Sequence, residues 1–302
     1  IIETQIKDFG ATGTASANGL LQQISDMIGI SKYATNNIFK SSATNCVLPI
    51  NDIRGIENMC YGKGEKLLRC KLAALYRLID LYGWSQGGVQ NLITQRLNQD
   101  DEHFLTNAYG ILYHEITASS LIKVDMQGSL IENGTTNFNS INTNLFNLHA
   151  TIHAARPDIK TIIFIHTPSI LSIAALKCGL LPISLESVVV GDVSIHNMNE
   201  QDEREKIIRS LGPINKILLL TNYGALCCGE TIEEAFYYCY NMIIACEIQL
   251  KLMPAGIDNI QLMSDEQKKH IYDGARRSPT IAPPSADGEI QTQPKKWRIG
   301  ST

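Results

Sequence analysis

Thr161-Ile-Ile-Phe-Ile-His-Thr-Pro168 is the stretch on which the reading of this chain turns. Four apolar residues, Ile162 to Ile165, predict a buried strand that delivers His166 to its end. Thr167 and Pro168 then supply the N-cap and first-turn signals of a helix. Side chains two apart leave the same face of a strand. A metal site at this strand end would therefore need a second imidazole at position 164. The residue there is Phe164, whose ring has no lone pair to donate. A strand shaped to present two ligands presents one.

Working outward, Leu145 to Ala155 predicts a helix stopped by Arg156-Pro157, and residues 168–178 a helix closed by Gly179. Gln201 to Leu211 is a polar-faced helix ended by Gly212-Pro213, and Lys216 to Asn222 is a buried strand. Thr231-Ile-Glu-Glu234 has capping-box spacing and opens the longest helix, to about Leu252, before Pro254 and Gly256. Upstream, Leu68, Leu72, Leu75, Ile79 and Tyr82 recur at helical spacing from Glu65, with Gly83 as the C′ residue. Leu92 to Thr94, His103 to Asn107 and Leu121 to Asp125 read as short strands, the last followed by a Gln127-Gly128 turn. Strands alternating with helices argue for an α/β domain with a layered sheet. No internal repeat of about 20–50 residues is present.

Three parts are expected. Residues 1–63 form an N-terminal extension with one short helix (Leu20, Leu21, Ile24, Met27, Ile28) and a polar loop from Ser31 to Asn45. Residues 64–260 form the compact domain. Residues 261–302 form a linker, because beyond about 275 Pro279, Pro283, Pro284 and Pro294 accumulate among small polar residues.

The 302 residues are 44% hydrophobic and 19% charged, which is the balance of an ordinary globular chain. A net charge of -4 gives no electrostatic reason to expect nucleic acid as a partner. Phe236 to Met253, the nearest approach to a membrane span, is interrupted by Asn241, Glu247, Gln249 and Lys251. The chain starts at Ile1 and carries no signal pattern, so the expectation is a piece of a longer protein. Eight cysteines stand at irregular spacings with no C-x-x-C pair. That pattern predicts free thiols in a reducing, cytosolic compartment.

His149 and His153 stand at i and i+4 on one predicted helix, a spacing that can bind metal. Ala150 occupies the place of the glutamate in an H-E-x-x-H motif, so histidines bonded to backbone or water are expected. Cys227 and Cys228 are read as buried thiols. Gly83-Trp-Ser-Gln-Gly-Gly88 lacks a P-loop lysine and follows a helix, which makes it a C-cap and turn. Lys295, Lys296 and Arg298 around Trp297 are read as a solvated segment.

The segments 64–84, Thr117-Ala-Ser-Ser-Leu121, Ala154-Ala-Arg-Pro-Asp158, Lys177-Cys-Gly-Leu-Leu-Pro-Ile-Ser184, Gly229-Glu-Thr-Ile-Glu-Glu-Ala-Phe236 and Ala245-Cys-Glu-Ile-Gln249 closely resemble the head domain of the adducin family. The resemblance covers roughly residues 18–300, and Lys295-Lys-Trp-Arg-Ile-Gly300 is similar to the start of the adducin neck. That head is in turn similar to the class II aldolases, zinc-dependent enzymes acting on sugar phosphates. The implied fold is three-layer α/β/α around a central, largely antiparallel sheet. The aldolase zinc histidines would fall on Phe164, His166 and Tyr223, and the catalytic glutamate near Leu145. The phosphate loop would fall on Gln90, Asn91 and Thr94, and a later phosphate contact on Tyr109-Gly110. Only His166, Asn91, Thr94, Gly110 and Arg96 keep a usable type.

The resemblance thus implies a vestigial pocket without metal, cofactor or catalysis, in an oligomerisation module. Its partners would be itself or another adducin-type subunit, as dimer or tetramer. In the longer protein, a spectrin–actin assembly and filament-end capping factor, F-actin and spectrin would bind mainly through regions beyond 302. The implied place is the membrane skeleton on the cytoplasmic side of the plasma membrane. The alternative is a metal-dependent aldolase or epimerase using His149, His153 and His166. A third is a residual pocket, built on Asn91, Thr94, Arg96 and Gly110, that senses a small metabolite.

Overall fold

A computed structural model describes residues 48–53, 61–62, 64–85, 92–97, 102–197 and 203–276. The chain divides into two compact units, Ile1–Pro49 and Ile50–Thr302. Every element below belongs to the second. The helix expected at Leu20–Ile28, the loop after it, Gln90, Asn91, residues 86–88 and 295–298, and Cys46 and Cys60 lie outside the described residues.

Eight strands run β1 (Ile93–Arg96), β2 (Phe104–Thr106), β3 (Ile122–Val124), β4 (Leu130–Glu132), β5 (Thr161–Ile165), β6 (Val193–His196), β7 (Ile217–Leu220) and β8 (Gly224–Gly229). They form one sheet in the order β4-β3-β2-β1-β5-β8-β7-β6. Among the described residues only β6 and β7 pair in parallel; the other neighbours are antiparallel. The helices are α1 (Glu65–Leu81), α2 (Thr143–Ala155), α3 (Pro168–Ala174), α4 (Leu185–Val189), α5 (Glu203–Leu211), α6 (Ile232–Leu252) and α7 (Asp265–Arg276).

Register assigns these helices to two layers, because residues directly opposite on neighbouring strands share a face. Thr94, Ile162 and Cys228 lie in one row, and Thr94 bonds to His149 and His153 of α2. On the same face, Leu226 is in register with Leu218, and Leu218 with Ser194. Ser194 and its face-mate His196 bond to Leu211 and Ser210 of α5. Cys227 points the other way and meets Cys239 of α6, the helix against which α1, α3 and α4 also pack. The expected three-layer fold with a largely antiparallel sheet is therefore what the chain adopts.

The apolar runs explain the depth of the core. Ile162, Ile163, Phe164, Ile165, Leu218, Leu219 and Leu226 are all at most 1% exposed. Burying each such side chain is worth about 1.5–3 kcal/mol. The caps work as their sequences suggest. Asn142 accepts from Leu145 N–H at the start of α2, and Thr167 from Ile170 N–H at the start of α3. Thr231 accepts from Glu234 N–H, while the Glu234 carboxylate accepts from Glu230 N–H, one residue outside the expected box.

Several elements differ from expectation. β4, α4 and β6 are not foreseen, since each is five residues or fewer and too short to show a period. Residues 261–302 were expected to be linker, yet 265–276 are helical. Ser264 and Gln267 form a reciprocal cap there, Gln267 N–H to Ser264 Oγ and Ser264 N–H to Gln267 Oε1. Met263 N–H also donates to Pro182 O, 2.9 Å away. The expected start at Gly64 is too late as well, because Ile53 is 1% exposed and Asp52 accepts from Ser119 N–H and Oγ–H.

Candidate functional site

β5 ends at Ile165, and the Asn222-Tyr-Gly224 turn between β7 and β8 lies beside that end. Asn222 takes a left-handed conformation with φ 59°, which asparagine tolerates better than most residues. The turn brings Tyr223 to Phe164, with ring centroids 5.4 Å apart, and Phe164 to His166 at 6.3 Å. His166 Nδ1 lies 2.7 Å from Tyr223 O. The carbonyl can only accept, so Nδ1 donates the hydrogen bond. Gly224 has φ 151°, and a Cβ there would lie 2.7 Å from Ile165 O and 3.0 Å from the Phe164 ring. Phe164, His166 and Tyr223 thus lie together at this end of the sheet.

Leu145 is 1% exposed, so an apolar side chain fills the place implied for an acid/base carboxylate. Thr94 does not serve an open phosphate site. It is fully buried, and its Oγ1 stands 2.9 Å from both His149 Nδ1 and His153 Nε2. Arg96 is also committed: its Nη2 donates to His153 O, Nη1 lies 3.8 Å from a Glu102 carboxylate, and the guanidinium sits over the Phe104 ring. Tyr109 is 42% exposed. Gly110 (φ 97°) packs under the Phe138 ring, and among the described residues no hydrogen bond or ring contact joins this pair to Phe164, His166 or Tyr223.

Sequence reasoning missed the His149–Thr94–His153 hub. The helical spacing showed that the two histidines share a face, but nothing local named Thr94, some 55 residues earlier in sequence. Its protons can be placed by elimination. His153 Nδ1 faces Ile159 O at 3.1 Å, so Nδ1 donates and Nε2 accepts. Thr94 must then donate to His153 Nε2 and accept from His149 Nδ1–H. His149 Nε2 is left as a buried lone pair without a hydrogen-bond partner among the described residues. Both rings are neutral. Burial, then the neighbouring His153, holds His149 well below the usual imidazole range. Burial, then the Arg96 charge, lowers His153 to about 3.

The donor set does not fit a catalytic zinc, which takes about three protein ligands and an open position. Position 164 offers a phenyl ring and position 223 a phenol. Among the described residues no group of three His, Cys, Asp or Glu side chains is placed to hold a metal ion. Cys227 and Cys228 are buried; a hydrogen bond with Cys239, then burial, raises the Cys227 thiol, and burial raises Cys228 to about 12. That leaves them protonated and unreactive at neutral pH.

A mixed sheet of this order, clothed on both faces and with a turn meeting a strand end beside a helix, defines an aldolase-type α/β domain. Residues 70–250 match the family described as Class II Aldolase and Adducin N-terminal domain, and the chain belongs to that family. "Protein hu-li tai shao" of Drosophila melanogaster is 49% identical over 319 residues, covering 98% of this chain and 27% of that protein. Alpha-adducin of Mus musculus is 47% identical over 260 residues, covering 84% of this chain and 34% of its own length. An aldolase II superfamily protein from Pseudomonas syringae superposes with a TM-score of 0.68 at 33% identity, over 73% of this chain and 88% of that one. The chain is an adducin-like head domain and spans 27–34% of these two curated relatives. Among the described residues no helix is long and apolar enough to cross a membrane.

Proposed function

We propose that this head works in assembly and carries no aldolase chemistry. The observation behind this reading is the Phe164 ring, 1% exposed and packed on Tyr223 and Gly224 where a metal-binding strand would present an imidazole. Even losses among the groups that support metal ligands cost roughly 10- to 100-fold in affinity. Two missing imidazoles and a missing carboxylate remove both the Lewis acid and the proton carrier that aldol chemistry needs.

Assembly is supported by α1. Leu67 and Leu81 are 60% and 80% exposed, and they stand 14 positions, about four turns, apart on one side of the helix. The head pairs with itself or with another adducin-type subunit as dimer or tetramer. In the longer protein it gathers weak actin- and spectrin-binding contacts beyond residue 302 and raises their effective concentration, on the cytoplasmic side of the membrane. The neck begins after α7. Light-scattering mass is the test. A stable dimer or tetramer, converted to folded monomer by Leu67→Asp with Leu81→Asp, is the expected result. A monomer throughout the micromolar range would overturn the assembly reading.

A further inference from the structure

A cavity of about 650 Å³ opens at the end of the sheet where β6 and β7 begin. The Phe164–His166–Tyr223 group lies at the other end, where β5 and β7 finish, so the two are separate sites. One wall is the turn from α4 into β6, carrying Val188 and Val190. The opposite wall is α7, carrying Tyr272, Lys268 and Lys269.

The wall is built with some precision at Gly191. Its φ is +78°, and a Cβ there would lie 3.0 Å from Tyr272 Cε2. The absence of a side chain lets the Tyr272 ring approach the turn closely and complete an apolar floor. Above that floor stand three lysines, Lys216, Lys268 and Lys269, and one carboxylate, Asp192. Lys216, on the β7 side, is already held by Asp158 and Glu230 at 3.3 and 3.5 Å. Among the described residues, Lys268 has only an i,i+3 ion pair with Asp265, whose side chain is 95% exposed. Such a surface pair is worth about 0–1 kcal/mol and yields readily to a better anion. Lys269 makes no ion pair among the described residues. The volume matches a small organic molecule.

We infer that this cavity binds a small amphipathic anion, with an apolar or aromatic body against Val190 and Tyr272 and one anionic group against Lys268 and Lys269. The ligand spans α7 and the sheet edge, so its binding fastens the last described helix to the domain. Residues 277–302 follow that helix in sequence, so the site is a means of setting how firmly the head holds the segment that precedes them.

The probe is 8-anilinonaphthalene-1-sulfonate, with N-phenyl-1-naphthylamine as its uncharged counterpart, on the intact 302-residue chain. The expected result is one saturable sulfonate-probe site per chain. Binding should slow hydrogen exchange across residues 265–276. Affinity should fall about tenfold with added salt, the loss of roughly one charge-assisted contact, and by at least about tenfold in Lys268→Glu/Lys269→Glu, which removes both lysines. Gly191→Ala, which displaces Tyr272, should weaken both probes alike. No saturable binding at millimolar probe would overturn the proposal. So would equal binding of the two probes, or binding indifferent to the lysine reversal while far-UV circular dichroism shows every variant folded.

Discussion

Replacing Thr94 with valine keeps the shape of the side chain and removes the hydroxyl that ties both α2 histidines to strand β1. In the native domain that hydroxyl stands 2.9 Å from His149 Nδ1 and 2.9 Å from His153 Nε2, with all three residues at most 1% exposed. In Thr94→Val, a buried N–H donor and a buried nitrogen acceptor lose their partners together. Each orphaned group costs about 1–3 kcal/mol. Ring rotation recovers little, because His153 Nδ1 is held by Ile159 O. The expected loss is about 2–5 kcal/mol, a large part of the roughly 5–15 kcal/mol that stabilises a typical domain. Urea unfolding followed by circular dichroism measures it as a lowered midpoint at unchanged slope. Thr94→Ser restores the hydroxyl at the cost of one methyl, so it should lose only about 1 kcal/mol. Equal midpoints for Thr94→Val and native protein would refute the hub. So would Thr94→Ser behaving as badly as Thr94→Val.

The same histidines predict acid sensitivity. Both are lowered from 6.5 in the folded state, so below that pH the unfolded chain binds protons the folded chain refuses. Stability is complete above about pH 6.5 and falls by about 1.4 kcal/mol per pH unit per histidine toward pH 3. Urea midpoints at pH 7 and 5.5 measure this, and His149→Gln should flatten the slope. Gly224→Ala should destabilise by at least about 2 kcal/mol, from its φ and its approach to Ile165 O. Adding Phe164→Ala should rescue it only in part, because the backbone contact remains; full rescue on a thermal melt would contradict the geometry. Phe164→His with Tyr223→His should let the protein retain about one equivalent of zinc after dialysis, where native protein retains none. Elemental analysis reads this out, and failure to gain zinc would show that the three positions do not converge as a ligand set.

Much of the architecture was written locally. The 3.6-residue period from Leu68 to Ile79, the stop at Arg156-Pro157, the caps at Thr167 and Thr231, and the apolar runs at 161–165 and 217–220 marked α1, α2, α3, α6, β5 and β7, whereas the Asn142 cap of α2 emerges only from the structure. Each of those signals is a contact between residues within a few positions of one another. The same locality made the Phe164–His166 mismatch visible, since a strand's two-residue alternation is a property of the strand alone. Short elements such as β4, β6 and α4 carry too few residues to express a period. α7 hid behind the proline-rich composition that follows it, although Ser264 and Gln267 mark its start.

Tertiary structure decided what depends on distant partners. Thr94 read as a phosphate-loop hydroxyl until antiparallel pairing of β1 with β5 set it beneath α2. Tyr223 packs beside Phe164 because β8 returns alongside β5. The cavity at Gly191 exists because a helix more than 70 positions later in the chain lays Tyr272 on that glycine. The chain's own order determines which local shapes can form. Which side chains become each other's solvent is settled only when the sheet closes and the helices cover it, because burial and hydrogen bonding are properties of the assembled layers.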